Sequence, residues 1–204
     1  MAKTIETRSK SFLFRDLDSN SLIGTASDRY AGWIGQIYSK GRYEKGITHT
    51  SHKVGEKTFN EETLPVESVS EYFEHFPLLE IDYTFYRLLL EKDGKPTPNF
   101  HVLKSYPQHM KDGDFVLLKA PQIIIARKLW KGSAFVENEN YLNADIFTKK
   151  FYKPAVEILG PCLNGIIFEQ EYHPKSDRFS LSKLAQDLDE FFSKIPKDTR
   201  FVAL

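Results

Sequence analysis

The residues of this sequence best able to do chemistry stand where apolar runs end. Glu80 and Asp82 are two apart in Leu78-Leu79-Glu80-Ile81-Asp82, and Thr84 follows. On a strand, period-2 alternation puts Glu80, Asp82 and Thr84 on one face, with the carboxylates about 6–7 Å apart. Such a pair can divide acid and base roles when its surroundings separate the two pKa values. A salt-bridged polar layer is the structural alternative. Lys119 closes the apolar run Phe115-Val116-Leu117-Leu118. A lysine buried there needs a carboxylate or an anionic ligand, because an unpaired ammonium is costly to desolvate. Glu80, or Glu169 after Gly165-Ile166-Ile167-Phe168, is the expected partner.

Cations and aromatic residues cluster behind two of these runs. Arg87 follows Tyr86, and Arg127, Lys128, Trp130 and Lys131 follow the run that ends in Lys119. Cations interleaved with an aromatic ring can hold phosphate groups and stack a base; a solvated charged loop is the plainer account. Tyr30, Trp33 and Tyr38, spaced by Gly32 and Gly35, suit a lid, a stacking platform or simple apolar packing. His49 and His52 are three apart in a polar stretch, with neither a cysteine cluster nor a His-Glu-x-x-His pattern, so no dedicated metal site is expected. His75, His101 and His109 fall in helical segments as surface or capping residues, which leaves His173 as the histidine expected near a strand end. A Gly-x-Ser-x-Gly elbow, a Walker loop and a dinucleotide fingerprint are all missing, so no cofactor is implied.

The elements that must position these groups alternate. Apolar runs at 22–26, 78–82, 115–120, 165–169 and 200–204 read as strands. Between them, helical spacing covers 65–76, opened by Pro65 and stopped by Pro77, then 99–110, where Pro107 interrupts. Further helices span 145–159, with Pro154 as a kink and Gly160 as the stop, and 181–194. Residues 1–20 read as a polar extension, 28–65 as a long loop without sustained period, and 122–140 as a connector with a basic centre. Strand–helix alternation argues for parallel βαβ units. A small open doubly wound sheet is the alternative to a barrel.

The chain has 204 residues, 41% of them hydrophobic and 27% charged, enough apolar side chain for a core. Lys+Arg and Asp+Glu both number 28, so a protein that binds nucleic acid through its overall field is excluded and any such contact is local. One cysteine, Cys162, excludes an internal disulfide framework and fits a reducing compartment. The N-terminal run Phe12-Leu13-Phe14 is too short for a signal peptide or membrane span, so a cytoplasmic protein without membrane contact is expected.

Ile23-Gly24-Thr25-Ala26-Ser27, Tyr30-Ala31-Gly32-Trp33-Ile34-Gly35 and Tyr38 resemble the opening of the YecE-like proteins, domain-of-unknown-function family 72. Glu80-Ile81-Asp82-Tyr83-Thr84-Phe85-Tyr86-Arg87 and Phe115-Val116-Leu117-Leu118-Lys119-Ala120-Pro121 resemble that family's second and third strand motifs. The resemblance covers about residues 22–204. It implies a TIM-type β/α barrel with no established activity, here incomplete: about five strands of eight in a single domain over 21–204. Two departures stand out. Phe168-Glu169-Gln170-Glu171 replaces the family's Gln-Pro, and the insertion at 39–64 is long.

Barrel sites lie at the C-terminal ends of strands. The expected catalytic residues are therefore Glu80, Asp82 and Lys119. The expected ligand-binding residues are Thr25, Tyr30, Trp33, Thr84, Tyr86, Arg87, Arg127, Lys128 and Glu169. The expected function is an enzyme acting on a phosphate-bearing small molecule or single-stranded nucleic acid. The alternatives are a non-catalytic binding module using loop 30–38, or an inactive truncated barrel whose open strand edges promote self-association.

Overall fold

The computed structural model describes residues 14–203, apart from 16, 19, 55, 170–179 and 200. The chain folds as two compact units, one of residues 1–80 with 105–115 and one of residues 81–104 with 116–204.

In the first unit, strand β1 (Gly24–Ala26) pairs in parallel with β4 (Leu78–Ile81), Gly24 opposite Leu78. Gly24 is required by this approach, since a Cβ there would stand 2.0 Å from the Leu78 carbonyl oxygen. Between these strands, Pro65 starts a 3-10 turn that runs into helix α1 (Val69–His75). Pro77 then forces the chain out into β4, because a residue before proline is pushed to extended backbone. Tyr72 and Phe73 are fully buried on α1, with Phe76 stacked on Tyr72 at 5.1 Å. Arg15 seals the far end of α1: its side chain donates to the Phe73 and Phe76 carbonyls and pairs with Asp114, which is 1% exposed. Phe14 stacks on Phe76 at 5.0 Å. The polar extension expected over 1–20 is thus anchored at Phe14 and Arg15.

The stretch 28–65 is not the aperiodic loop expected. It contains an antiparallel hairpin of β2 (Thr48–Val54) and β3 (Lys57–Thr63), seven residue pairs long. Both faces of β3 are exposed over most of its length, which is why no apolar alternation marked it. A 3-10 turn at Ala31–Trp33 and the buried Tyr38 and Tyr43 order the segment before the hairpin.

In the second unit, β5 (Phe115–Lys119), β8 (Leu163–Phe168) and β9 (Phe201–Ala203) run parallel. β4 gives way to a 3-10 turn, Asp82–Phe85, and helix α2 (Pro98–Ser105) begins with proline in its first position, where a missing N–H costs nothing. Pro107 ends α2 as a 3-10 turn, Tyr106–His109. After β5 come a one-turn helix α3 (Gln122–Ile125) and a second antiparallel hairpin, β6 (Lys128–Lys131) with β7 (Ala134–Glu137). The connector expected over 122–140 is therefore a helix and a hairpin, and Gly132-Ser133 was its turn signal.

The helical span 144–159 is continuous but uneven: α4 (Ala144–Phe147), a π turn (Thr148–Tyr152) and α5 (Lys153–Leu159). Pro154 has no N–H for the carbonyl of Lys150, and that carbonyl is bonded instead by the Leu90 N–H at 3.1 Å. Helix α6 (Leu181–Lys194) is capped by Ser180 and places Phe191 and Phe192 against Phe147 and Phe168, ring centres 5.2–5.7 Å apart. Parallel strands alternating with helices make this an α/β protein. Among the described residues the strands close no barrel, and no helix is long and apolar enough to cross a membrane.

Candidate functional site

The β4 backbone leaves the strand at Ile81, and Asp82 opens the 3-10 turn. Strand alternation therefore does not extend to Asp82 and Thr84, and the shared face expected for Glu80, Asp82 and Thr84 does not form. Thr84 turns inward instead and is fully buried. Its hydroxyl lies 3.0 Å from the Ile81 carbonyl and 2.9 Å from the Lys119 carbonyl, and it accepts the Lys119 N–H at 3.1 Å. This one side chain fastens the turn to the end of β5. Asn99 secures the same turn from α2 by donating to the Tyr83 carbonyl at 2.8 Å.

The result is a cluster of three charges. Lys119 Nζ stands 3.0 Å from Glu169 Oε2 and 3.4 Å from Asp82 Oδ1. The Lys119 side chain is 22% exposed, Asp82 39% and Glu169 53%. Asp82 Oδ1 is itself buried and accepts no hydrogen bond among the described residues, and the Lys119 ammonium stands 3.4 Å from it. Lys119 is the last residue of β5 and Glu169 the first after β8, so both come from the C-terminal ends of parallel strands. Two carboxylates thus flank one ammonium among the described residues.

The other cations expected to hold anions are already engaged. Arg87 pairs with Glu91 one turn on, and Lys128 pairs with Glu137 across the β6–β7 ladder at 3.5 Å. Arg127 is half-buried at the foot of that hairpin. Tyr86 is 77% exposed beside Phe85.

Glu80, Thr25, Tyr30 and Trp33 belong to the first unit. Glu80 is half-buried, and its carbonyl accepts the Ser27 N–H at 3.1 Å. Thr25 donates to the Ser27 carbonyl at 2.9 Å and lies 3.0 Å from the Tyr72 hydroxyl. Of the aromatic loop, Tyr38 is buried, Trp33 stacks on it at 6.5 Å, and Tyr30 stays 54% exposed. His49 pairs with Glu62 at 3.3 Å on the β2–β3 hairpin. His173, Gln170 and Glu171 lie outside the described residues.

Asp28 escaped the sequence reading. It is 7% exposed, accepts the Tyr106 hydroxyl at 2.8 Å and has Arg29 Nε at 3.7 Å, while its carbonyl takes the Tyr38 hydroxyl. Burial pushes its carboxyl above the usual carboxylate range, against the pull of Arg29 and of the Tyr106 bond. Burial also raises the Tyr38 phenol, and takes that of Tyr72 to about 12. Ser27, just before Asp28, has φ +67, a left-handed backbone uncommon outside glycine. The signal was present in the sequence, as the Ser27-Asp28 that ends the first apolar run.

No family model, no curated protein and no solved structure matches this chain.

Proposed function

We propose that this chain is a YecE-like protein of TIM-barrel type, cytoplasmic, and an enzyme whose acid–base centre is Asp82, Lys119 and Glu169 acting on a phosphate-bearing ligand. The observation that supports the reading is the half-buried Lys119 held between two carboxylates, 3.0 and 3.4 Å away, at strand C-terminal ends. The Asp82 side chain is 39% exposed and suits the part of general base, accepting a proton from a ligand hydroxyl. Lys119 balances the negative charge that develops on the ligand. Glu169, the most exposed of the three, is the counter-ion that yields when an anionic group arrives.

The fixed groups also set an order of events. An arriving phosphate competes with the Glu169 carboxylate for Lys119, so Glu169 opposes binding while Lys119 favours it.

The test is calorimetric titration with a panel of phosphorylated sugars, nucleotides and inorganic phosphate. Lys119→Met is expected to abolish any binding seen in the native protein. Glu169→Gln is expected to tighten it several-fold, and Asp82→Asn to retain binding while losing turnover. Binding that ignores all three substitutions, or no binding across the panel, refutes the reading.

A further inference from the structure

Trp130 and Phe135 stand directly opposite each other in the β6–β7 ladder, their ring centres 5.1 Å apart. They are nevertheless 58% and 65% exposed. Two adjacent large rings left in water form a continuous apolar strip, the kind of surface that marks a contact site. The turn beneath them is tight: Gly132 has φ +71, as the first central residue of a primed two-residue turn must, and Ser133 N–H bonds back to the Lys131 carbonyl at 2.8 Å. The strip is thus carried on an ordered ribbon.

Charge decides what suits this strip. From Arg127 to Asn138 the hairpin holds Arg127, Lys128 and Lys131 against the single carboxylate Glu137, in a chain whose net charge is zero. Glu137 is taken up by Lys128. Lys131, the neighbour of Trp130 at the turn, is exposed and makes no ion pair among the described residues. Aromatic faces with a local excess of cations match a chain in which every unit brings one planar ring and one negative charge. Bases in a duplex already stack on one another and offer the rings no face; unpaired bases do.

We infer that the β6–β7 hairpin is a contact surface for single-stranded nucleic acid, with bases stacking on Trp130 and Phe135 and phosphates meeting Lys131. The inference rests on the hairpin alone and not on the acid–base reading of Lys119.

The chain has two tryptophans, so a Trp33→Phe variant makes Trp130 the sole indole reporter. An oligothymidylate of about 12 nucleotides, long enough for such a site, is titrated into it at low salt. Quenching of Trp130 is expected, together with an anisotropy rise of the labelled oligonucleotide that weakens steeply as salt is added. Trp130→Ala with Phe135→Ala should weaken binding about ten- to a hundredfold. Lys131→Glu should weaken it and flatten the salt dependence, and a blunt duplex of the same length should bind more weakly than the single strand. All three residues are exposed, so loss of folding does not confuse the result; the melting temperature checks this. Absence of quenching, unchanged affinity in the aromatic double variant, or preference for the duplex overturns the inference. Because the signal comes from Trp130, it succeeds or fails independently of the phosphate titration that tests Lys119.

Discussion

At the scale of single residues, Lys119 and Asp28 answer burial in different ways. Lys119 is solvated enough to exchange partners, and its pairing with Glu169 followed from one physical demand, that an ammonium at the end of an apolar strand find a carboxylate. Its second partner, Asp82, was legible as a residue but not as a geometry, because nothing in Ile81-Asp82-Tyr83 announces that the strand stops there. Asp28 is the contrasting case, walled in by Tyr38, Tyr106 and Arg29. Its raised pKa means that the folded state holds the proton more tightly than the unfolded chain. The stability this contributes is fully present below the unfolded carboxylate value and is lost as pH rises through the folded one. Asp28→Asn keeps an acceptor for the Tyr106 hydroxyl and removes the titration. Its melting temperature is expected to exceed that of the native protein by more at pH 8 than at pH 4; a gap independent of pH refutes this.

Among elements, the N-terminal strap has the clearest consequence. Arg15 meets the last carbonyls of α1 and the buried Asp114, whose other oxygen accepts the Lys111 N–H at 2.8 Å. Removing one partner of a buried pair leaves the other charge unpaired. Arg15→Ala is expected to lower unfolding stability by about 3–5 kcal/mol in urea titration. Adding Asp114→Asn should recover part of that loss; a single-variant loss below about 1 kcal/mol, the range of an exposed pair, counts against the strap. Gly24 makes an equally direct case. Gly24→Val puts a branched side chain on the Leu78 carbonyl and should break the β1–β4 pairing, seen as loss of amide-exchange protection at Ala26 and Glu80. The two hairpins were invisible for different reasons: β2–β3 has no apolar face to alternate, and in the short β6–β7 the apolar residues stand side by side, Leu129-Trp130 and Phe135-Val136, rather than alternating.

For the whole molecule, the path of the chain matters more than any one contact. The chain passes from the first unit to the second, back, and out again, and the boundaries fall inside β4, α2 and β5. Three elements are thus divided between the units. A single cooperative transition is expected in calorimetry, with van't Hoff and calorimetric enthalpies equal. Two resolved transitions would show that the units fold separately. Sedimentation of the same sample tests the self-association expected of open strand edges.

The sequence by itself determined the α/β class, the order of five of the strands along the chain, and the four principal helices between them. Those follow from local periodicity and from proline and glycine punctuation, which act within a few residues. It also determined that Lys119 needs an acid, since desolvation cost is a property of the residue and its apolar run. Only the tertiary structure decided which acids answer it, that Thr84 is spent on backbone, that Asp28 is buried, and that two hairpins interrupt the strand–helix alternation. The first three depend on groups far apart in sequence meeting in space: Lys119 with Asp82 and Glu169, Thr84 with Lys119, Asp28 with Tyr106. Local pattern carries no record of such meetings, because their energy comes from burial and pairing that exist only once the chain has folded.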